Sequence, residues 1–449
     1  MESSLFPLPE AEESSGKPVG QGKPRLKRAD REQIEWQPVD LDSQLPPDHM
    51  ARVVWEWAVS LDVSLLYAPI QAVEGHPGQS AIDPRILLAL WLYATLEGVG
   101  SARALERLCE EHIAYRWICG GVSVNYHTLA DFRVGQKAFL DHILIESVAA
   151  LQSQGLVSMK RVAQDGKKIR ASAGSGSFQR KDSLTRHLEE ARQQVEALEK
   201  EVEADPDGTN RRQKAARERA LRERQDKLQK AQKQLEAMHK QAEKTGRAKQ
   251  DAKRKKERRA SSTDPEARVM KMADGGYRPA YNAQFCTDSQ SNIIVGMQVS
   301  QQGNDFGLAS PMIKQIQEDY HKVPEEIIAD AGYPTLDEIT ALTKEGTIPY
   351  FAVPTKGKSQ EASYQPQPKD SPEVVRWRQR MESTEGQTIL AGRGQVAELV
   401  HAVMDHLNLD RMVVRGMEKV RTILLWFVLA HNLIRTRLLR EKISQTAPA

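Results

Sequence analysis

Residues 327–333 read I-I-A-D-A-G-Y. Two β-branched residues and an alanine run into Asp330, and Gly332 and Pro334 end the run. The pattern predicts a short buried strand with a carboxylate at its C-terminal end. An unpaired buried negative charge costs roughly several kcal/mol, so such a group lies at an open edge or holds a cation. Residues 161–166, R-V-A-Q-D-G, repeat this grammar and deliver Asp165 to a glycine turn. Two carboxylates on strand ends suggest one divalent metal site.

Around these two segments the pattern is that of a sheet with helices packed on it. Residues 281–287 and 293–300 read as antiparallel strands joined by a polar turn, D-S-Q-S-N. A helix over 308–320 leads into the Asp330 strand, and a helix over 336–343 leads to a strand over 348–353. Residues 356–372 read as a polar loop with no core face. Helices follow over 373–381, 396–407 and 417–439. The expected class is α/β, with functional groups collected at strand ends. Two metal ions about 4 Å apart are held more easily by three carboxylates than by two. Glu398 is the best third acid, because it begins a helix after the turn Gly392-Arg393-Gly394 and has Val396, Leu399 and Val400 to press that helix onto the sheet. His401 is expected on a different face. Glu382, Glu385 and Glu418 are the competing acids, in settings that read as solvated or ion-paired.

Residues 1–35 mix Pro, Gly, Ser, Lys and Glu and read as a disordered arm. Residues 36–157 carry helical periodicity and read as an all-α domain, with Trp55, Trp57, Trp91 and Trp117 in its core. Within it Ser101 caps one helix, Gly120-Gly121 breaks the chain, and a second helix begins near Tyr126. With Arg103, Arg107, Arg116 and Arg133 this is compatible with a helix-turn-helix for DNA; a plain bundle with arginines on its solvated face is equally so. The sheet domain would occupy 158–181 and 260–440, interrupted by 182–259 and followed by a tail, 441–449. In the insertion, Leu184, Leu188, Ala191, Val195, Leu198 and Val202 recur at heptad spacing, D-P-D-G at 205–208 marks a turn, and Leu221, Leu228 and Leu235 repeat every seven. That predicts an antiparallel coiled-coil hairpin. Its basic end, 247–259, holds eight basic residues against Asp251 and Glu257.

The 449 residues allow two or three domains, and 39% hydrophobic with 28% charged residues is the balance of an ordinary soluble protein. No run of 18 apolar residues and no signal peptide is read, so no membrane partner and a cytoplasmic, nucleoid-associated location are expected. Cys109, Cys119 and Cys286 have neither disulfide nor zinc spacing and read as buried thiols. A net charge of +3 does not by itself imply nucleic acid.

D-G-K-K-I at Asp165, A-D-A-G-Y at Asp330, A-E-L-V at Glu398 and then R-G-M-E-K-V-R with A-H-N-L over 415–433 resemble bacterial insertion-sequence transposases of the DDE class. More narrowly they are similar to the branch related to insertion sequences four and five that carries a coiled-coil insertion after the first aspartate. The resemblance spans about 36–440. It implies a ribonuclease-H-like mixed sheet, a metal-binding triad of Asp165, Asp330 and Glu398, two Mg²⁺ or Mn²⁺ ions, and cleavage and strand transfer at terminal inverted repeats. It also implies double-stranded DNA as partner, bound by a homodimer. Lys167, Lys168, Arg170, Arg393, Arg415 and Lys419 would meet phosphates, with Arg103, Arg107 and Arg133 in the helical domain. Related elements carry Tyr, Arg and Lys where this chain has Ala391, Gly394 and Asp405. A DNA-binding regulator that does not cut, or a coiled-coil scaffold with an incidental α/β domain, are the competing readings.

Overall fold

The first aspartate strand outruns its apolar stretch. In a computed structural model, which describes residues 40–72, 80–204, 211–244, 257–355, 357 and 359–446, β1 spans Arg161–Arg170. Asp165 therefore sits in mid-strand, and the expected glycine turn does not form: Gly166 continues the ladder opposite Gln284. The glycine answers a packing demand, because a Cβ there would meet Gln284 Nε2 at 2.3 Å and Asp305 Oδ1 at 2.7 Å.

A two-residue ladder joins β2, Phe178–Gln179, to β3, Ala260–Ser261. The main sheet adds β4 (Arg268–Lys271), β5 (Tyr277–Asp288), β6 (Ile294–Ser300), β7 (Glu326–Ala329) and β8 (Ile348–Phe351) to β1. β5 is antiparallel to β1 along nine residue pairs. Its other edge carries β4 on the first half and β6 on the second. On the far side of β1 run β7 and then β8, both parallel to it. Reading across gives β6–β5–β1–β7–β8, a mixed sheet. β4, a hairpin arm closed around Asp274–Gly276, has too short an apolar alternation to be read from sequence.

Helices α1 (Met50–Ser60), α2 (Ser64–Tyr67), α3 (Pro84–Leu96), α4 (Ala102–Glu111), α5 (Ile113–Cys119), α6 (Tyr126–Gly135) and α7 (Lys137–Ser153) precede the sheet. Ser101 caps α4 through Ala104 N, and Asn125 caps α6 through Thr128 N. The expected helix, break, helix contains a further helix, α5, which ends where Gly120 and Gly121 adopt φ of 57° and 85°. Trp91 is fully buried, whereas Trp55, Trp57 and Trp117 pack on the rim of the core.

In the insertion, α8 (Lys181–Ala204) lies against α9 (Arg211–Lys244). Leu184, Leu188, Ala191, Leu228, Ala231 and Leu235 form a separate buried cluster, closed by Ala260. Arg268 ties it to the sheet by donating from Nη2 to Gln234 Oε1 at 2.6 Å. The 205–208 turn, residues 247–256 of the basic run and the 1–35 arm lie outside the described residues.

Helices α10 (Ala309–Tyr320) and α11 (Leu336–Lys344) flank β7 in sequence. The loop expected over 356–372 contains α12 (Gln360–Tyr364), whose Ser363 and Tyr364 are buried. Then come α13 (Pro372–Glu382), α14 (Thr384–Ala391), α15 (Arg393–His406) and α16 (Met417–Thr446). α16 takes up most of the expected tail. By length and composition alone Met417–Gln445 could cross a membrane, its most apolar 18 residues having a mean hydropathy of 1.3. Here the helix is a core element, packed on α3, α6, α7 and β6. Its A-H-N-L segment does specific work. Asn432 receives a hydrogen bond from Ile294 N and donates one to Ile294 O, both at 2.9 Å, and His431 Nε2 donates to Asn292 O at 2.8 Å. One continuous core runs from Leu45 in the helical region to Leu433.

Candidate active site

Strands β1 and β7 run parallel in the register Arg161–Glu326, Val162–Ile327, Ala163–Ile328. Side chains alternate along a strand, so Asp165, two residues beyond Ala163, and Asp330, two beyond Ile328, come level on one face of the sheet. Asp165 Oδ1 accepts from Gly166 N at 2.8 Å and Oδ2 from Arg393 Nη1 at 3.0 Å. Asp330 Oδ1 accepts from Gly332 N at 2.8 Å. Burial raises the pKa of Asp165; His401 and Arg393 oppose that rise, and the charge of Asp330 adds to it.

The opposing surface is α15. Val396, Ala397, Val400 and Met404 bury its inner side. The expected turn at 392–394 is instead a joint between two helices, with Gly392 alone separating α14 from α15. Gly394, Glu398, His401 and Asp405 follow at steps of four, three and four, so they share one stripe. This corrects the expectation for His401, since residues three apart on a helix are neighbours. Its pKa is lowered by burial, against the pull of Asp165, and its Nε2 is buried without a hydrogen-bond partner. Lys167 Nζ reaches Asp405 Oδ1 at 2.6 Å, which ties β1 to α15 a second time.

Glu398 is exposed on this stripe. Among the described residues no group of three His, Cys, Asp or Glu side chains is close enough to hold a metal. The fold thus sets Asp165 and Asp330 together and leaves Glu398 on the facing helix. The two carboxylates, like-charged and partly withdrawn from water, suit a hard divalent cation. Arg393 supplies one compensating positive charge.

Sequence reading missed Asp305. Its Oδ1 accepts from Asn282 Nδ2 and Gln284 Nε2, each at 2.7 Å, and Gln284 Oε1 accepts from Gln164 Nε2 at 3.0 Å and from the Tyr333 hydroxyl. A Cβ on Gly332 would lie 2.9 Å from Asp330 Oδ1 and 3.8 Å from Asp305 Oδ2. Asp305 therefore backs the Asp330 turn through a buried amide network. The available signal was G-N-D-F-G at 303–307, an acid between glycines that follows a strand.

The basic candidates separate by environment. Alternation puts Lys168 on the face away from Asp165. Arg170 is paired with Asp410, Arg415 Nε donates to Ser172 O at 2.9 Å, and Lys419 is exposed. Arg103, Arg107 and Arg116 are exposed, with Arg103 over the Tyr126 ring and Arg107 near Glu111. Arg133 departs from expectation: it is buried over Trp91 and does not lie on the solvated face of α6.

Residues 39–135 match the family model described as Transposase domain (DUF772), and residues 245–433 match the one described as Transposase DDE domain. Together these support a DDE-type transposase. The DDE match takes in Asp330 and Glu398 and starts beyond Asp165, within the insertion. No curated protein and no solved structure gave a match.

Proposed function

We propose that this chain is a transposase that binds the terminal inverted repeats of an insertion sequence in double-stranded DNA, cuts at the element end and joins the freed 3′-hydroxyl to a target. The observation that carries this reading is the β1–β7 register, which levels Asp165 with Asp330 on the face opposite Glu398. The β6–β5–β1–β7–β8 order, antiparallel on one side of β1 and parallel on the other, supports a ribonuclease-H-like core. The paired α8 and α9 support the coiled-coil branch of insertion sequences four and five. The setting would be nucleoid DNA in the cytoplasm, with two copies of the chain holding two ends.

Asp165 and Asp330, with Glu398 from α15, would hold Mg²⁺ or Mn²⁺, two ions in all. The cation, when bound, supplies charge for the scissile phosphate and acidity for the attacking hydroxyl. Arg393 balances Asp165 and can turn to a phosphate oxygen when that carboxylate is engaged. Lys167, fixed by Asp405, brings a cation to the same face. Lys168, Arg170, Arg415 and Lys419 would follow the DNA backbone.

A second reading, DNA binding and regulation without cutting, draws on Asp405, which stands where the resemblance implies a lysine. One experiment separates the two. The purified chain is incubated with a duplex carrying the element end, with Mn²⁺ or with a chelator. Metal-dependent nicking that Asp330→Asn and Glu398→Gln both abolish supports the transposase. A shifted but intact duplex under all conditions supports the regulator.

A further inference from the structure

Arg133, near the C-terminal end of α6, is 6% exposed. Its guanidinium lies 4.4 Å from the Trp91 ring centroid and donates from Nη1 to Gly100 O at 2.5 Å. A guanidinium carries five donors. Here Nε is buried with no partner, and among the ion pairs of the described residues none includes Arg133. Burial lowers its pKa to about 10, so it remains a cation at neutral pH. A buried charge without a counter-ion is costly and is ordinarily matched.

The same side chain lines a cavity of about 400 Å³ at the seam where residues 98–100, before α4, meet residues 407–413, before α16. The charged groups on its wall are Arg133, Asp410 and Arg411. Asp410 is committed to Arg170, and Arg411 is exposed. The wall therefore has an excess of positive charge, with one guanidinium buried and a second open to solvent.

We propose that this cavity binds a phosphate group, with Arg133 as the buried cation and Arg411 as the outer one. Two arginines on one wall suit a doubly charged oxyanion, since the guanidinium fork matches phosphate oxygens. The phosphate comes either from a DNA strand crossing the seam or from a free phosphate ion. Only the first source rests on the transposase reading.

The test uses the full chain with inorganic phosphate as probe. At constant ionic strength, phosphate should raise the melting temperature saturably where chloride does not, and Arg411→Ala should weaken that protection about tenfold. Arg411 is exposed and outside the core, so its removal leaves folding intact; Arg133→Lys and Arg133→Gln, checked by circular dichroism, complete the series. If a DNA strand is the source, the slope of log affinity for duplex against log salt should fall by about 0.9 in Arg411→Ala. Protection with an unchanged slope assigns the site to free phosphate. No protection in wild type together with an unchanged slope overturns the proposal. Loss of metal-dependent nicking in wild type, with phosphate protection intact, would sink the transposase reading and leave this site standing.

Discussion

Replacing Arg393 by alanine removes the guanidinium paired with Asp165 and leaves a half-buried carboxylate level with Asp330. In the intact pair Nη1 and Oδ2 are 3.0 Å apart and the side chains are 27% and 22% exposed. That lies between exposed pairs, worth about 0–1 kcal/mol, and buried ones, whose disruption costs about 3–5 kcal/mol. We expect Arg393→Ala to destabilise the chain by about 1–3 kcal/mol at neutral pH. Adding Asp165→Asn removes the stranded charge and should recover most of the loss. Because burial raises the Asp165 pKa, the folded chain holds that proton more readily than the unfolded one. Stability contributed by Asp165 therefore falls as pH rises through its window, and Asp165→Asn alone should be more stable than wild type above it. The assay is urea unfolding in metal-free buffer, repeated with Mn²⁺, which should stabilise Arg393→Ala more than wild type. The reasoning fails if Arg393→Ala unfolds at the wild-type midpoint, or if the double variant is no more stable than Arg393→Ala.

Three other outcomes follow from the geometry. Gly166→Ala drives a methyl into Gln284 and Asp305, both held in the buried amide network, and should cost about 1–3 kcal/mol and disturb the Asp330 turn, read by urea unfolding and by nicking. Asn432→Ala leaves Ile294 N and O unsatisfied and should cost about 2–4 kcal/mol, read as a lowered urea midpoint. Burial lowers the His431 pKa to about 4, so the unfolded chain takes up the proton first and stability falls as pH drops from about 6.5 towards 4, by about 3 kcal/mol in all. His431→Leu should flatten that limb of the pH profile; a profile as steep as wild type would refute the assignment.

The aspartate strands were legible because apolar runs that end in a carboxylate are rare and costly, and their separation of 165 residues equals the offset of the parallel register. Asp165 was misplaced at a strand end because Gly166 looks like a turn residue, whereas its lack of a side chain serves contacts from β5 and the 302–307 loop that no local pattern reveals. The helix that carries Glu398 was legible from its apolar neighbours, but the neighbourhood of His401 was misjudged by treating a three-residue step as a change of face. Asp305 was invisible for a related reason, since its partners Asn282 and Gln284 lie on a distant strand. Arg133 shows the limit for charged residues: sequence counts the charge and assigns it to solvent, and only packing on Trp91 turns it inward. The α8–α9 pairing was readable because its heptads repeat. α16 was legible as a strongly apolar helix, but its seat on β6 was not, because His431 and Asn432 look polar until β6 is placed beside them.

The parallel pairing of β1 with β7 also has a consequence for the nascent chain. At a synthesis rate of about 5–20 residues per second, β7 leaves the ribosome roughly 10–30 s after β1, and α16, which closes the core, comes later still. The two aspartates cannot come together until most of the polypeptide exists. A product terminated before β7 would carry Asp165 without Asp330, so the paired carboxylates appear only in the later part of synthesis.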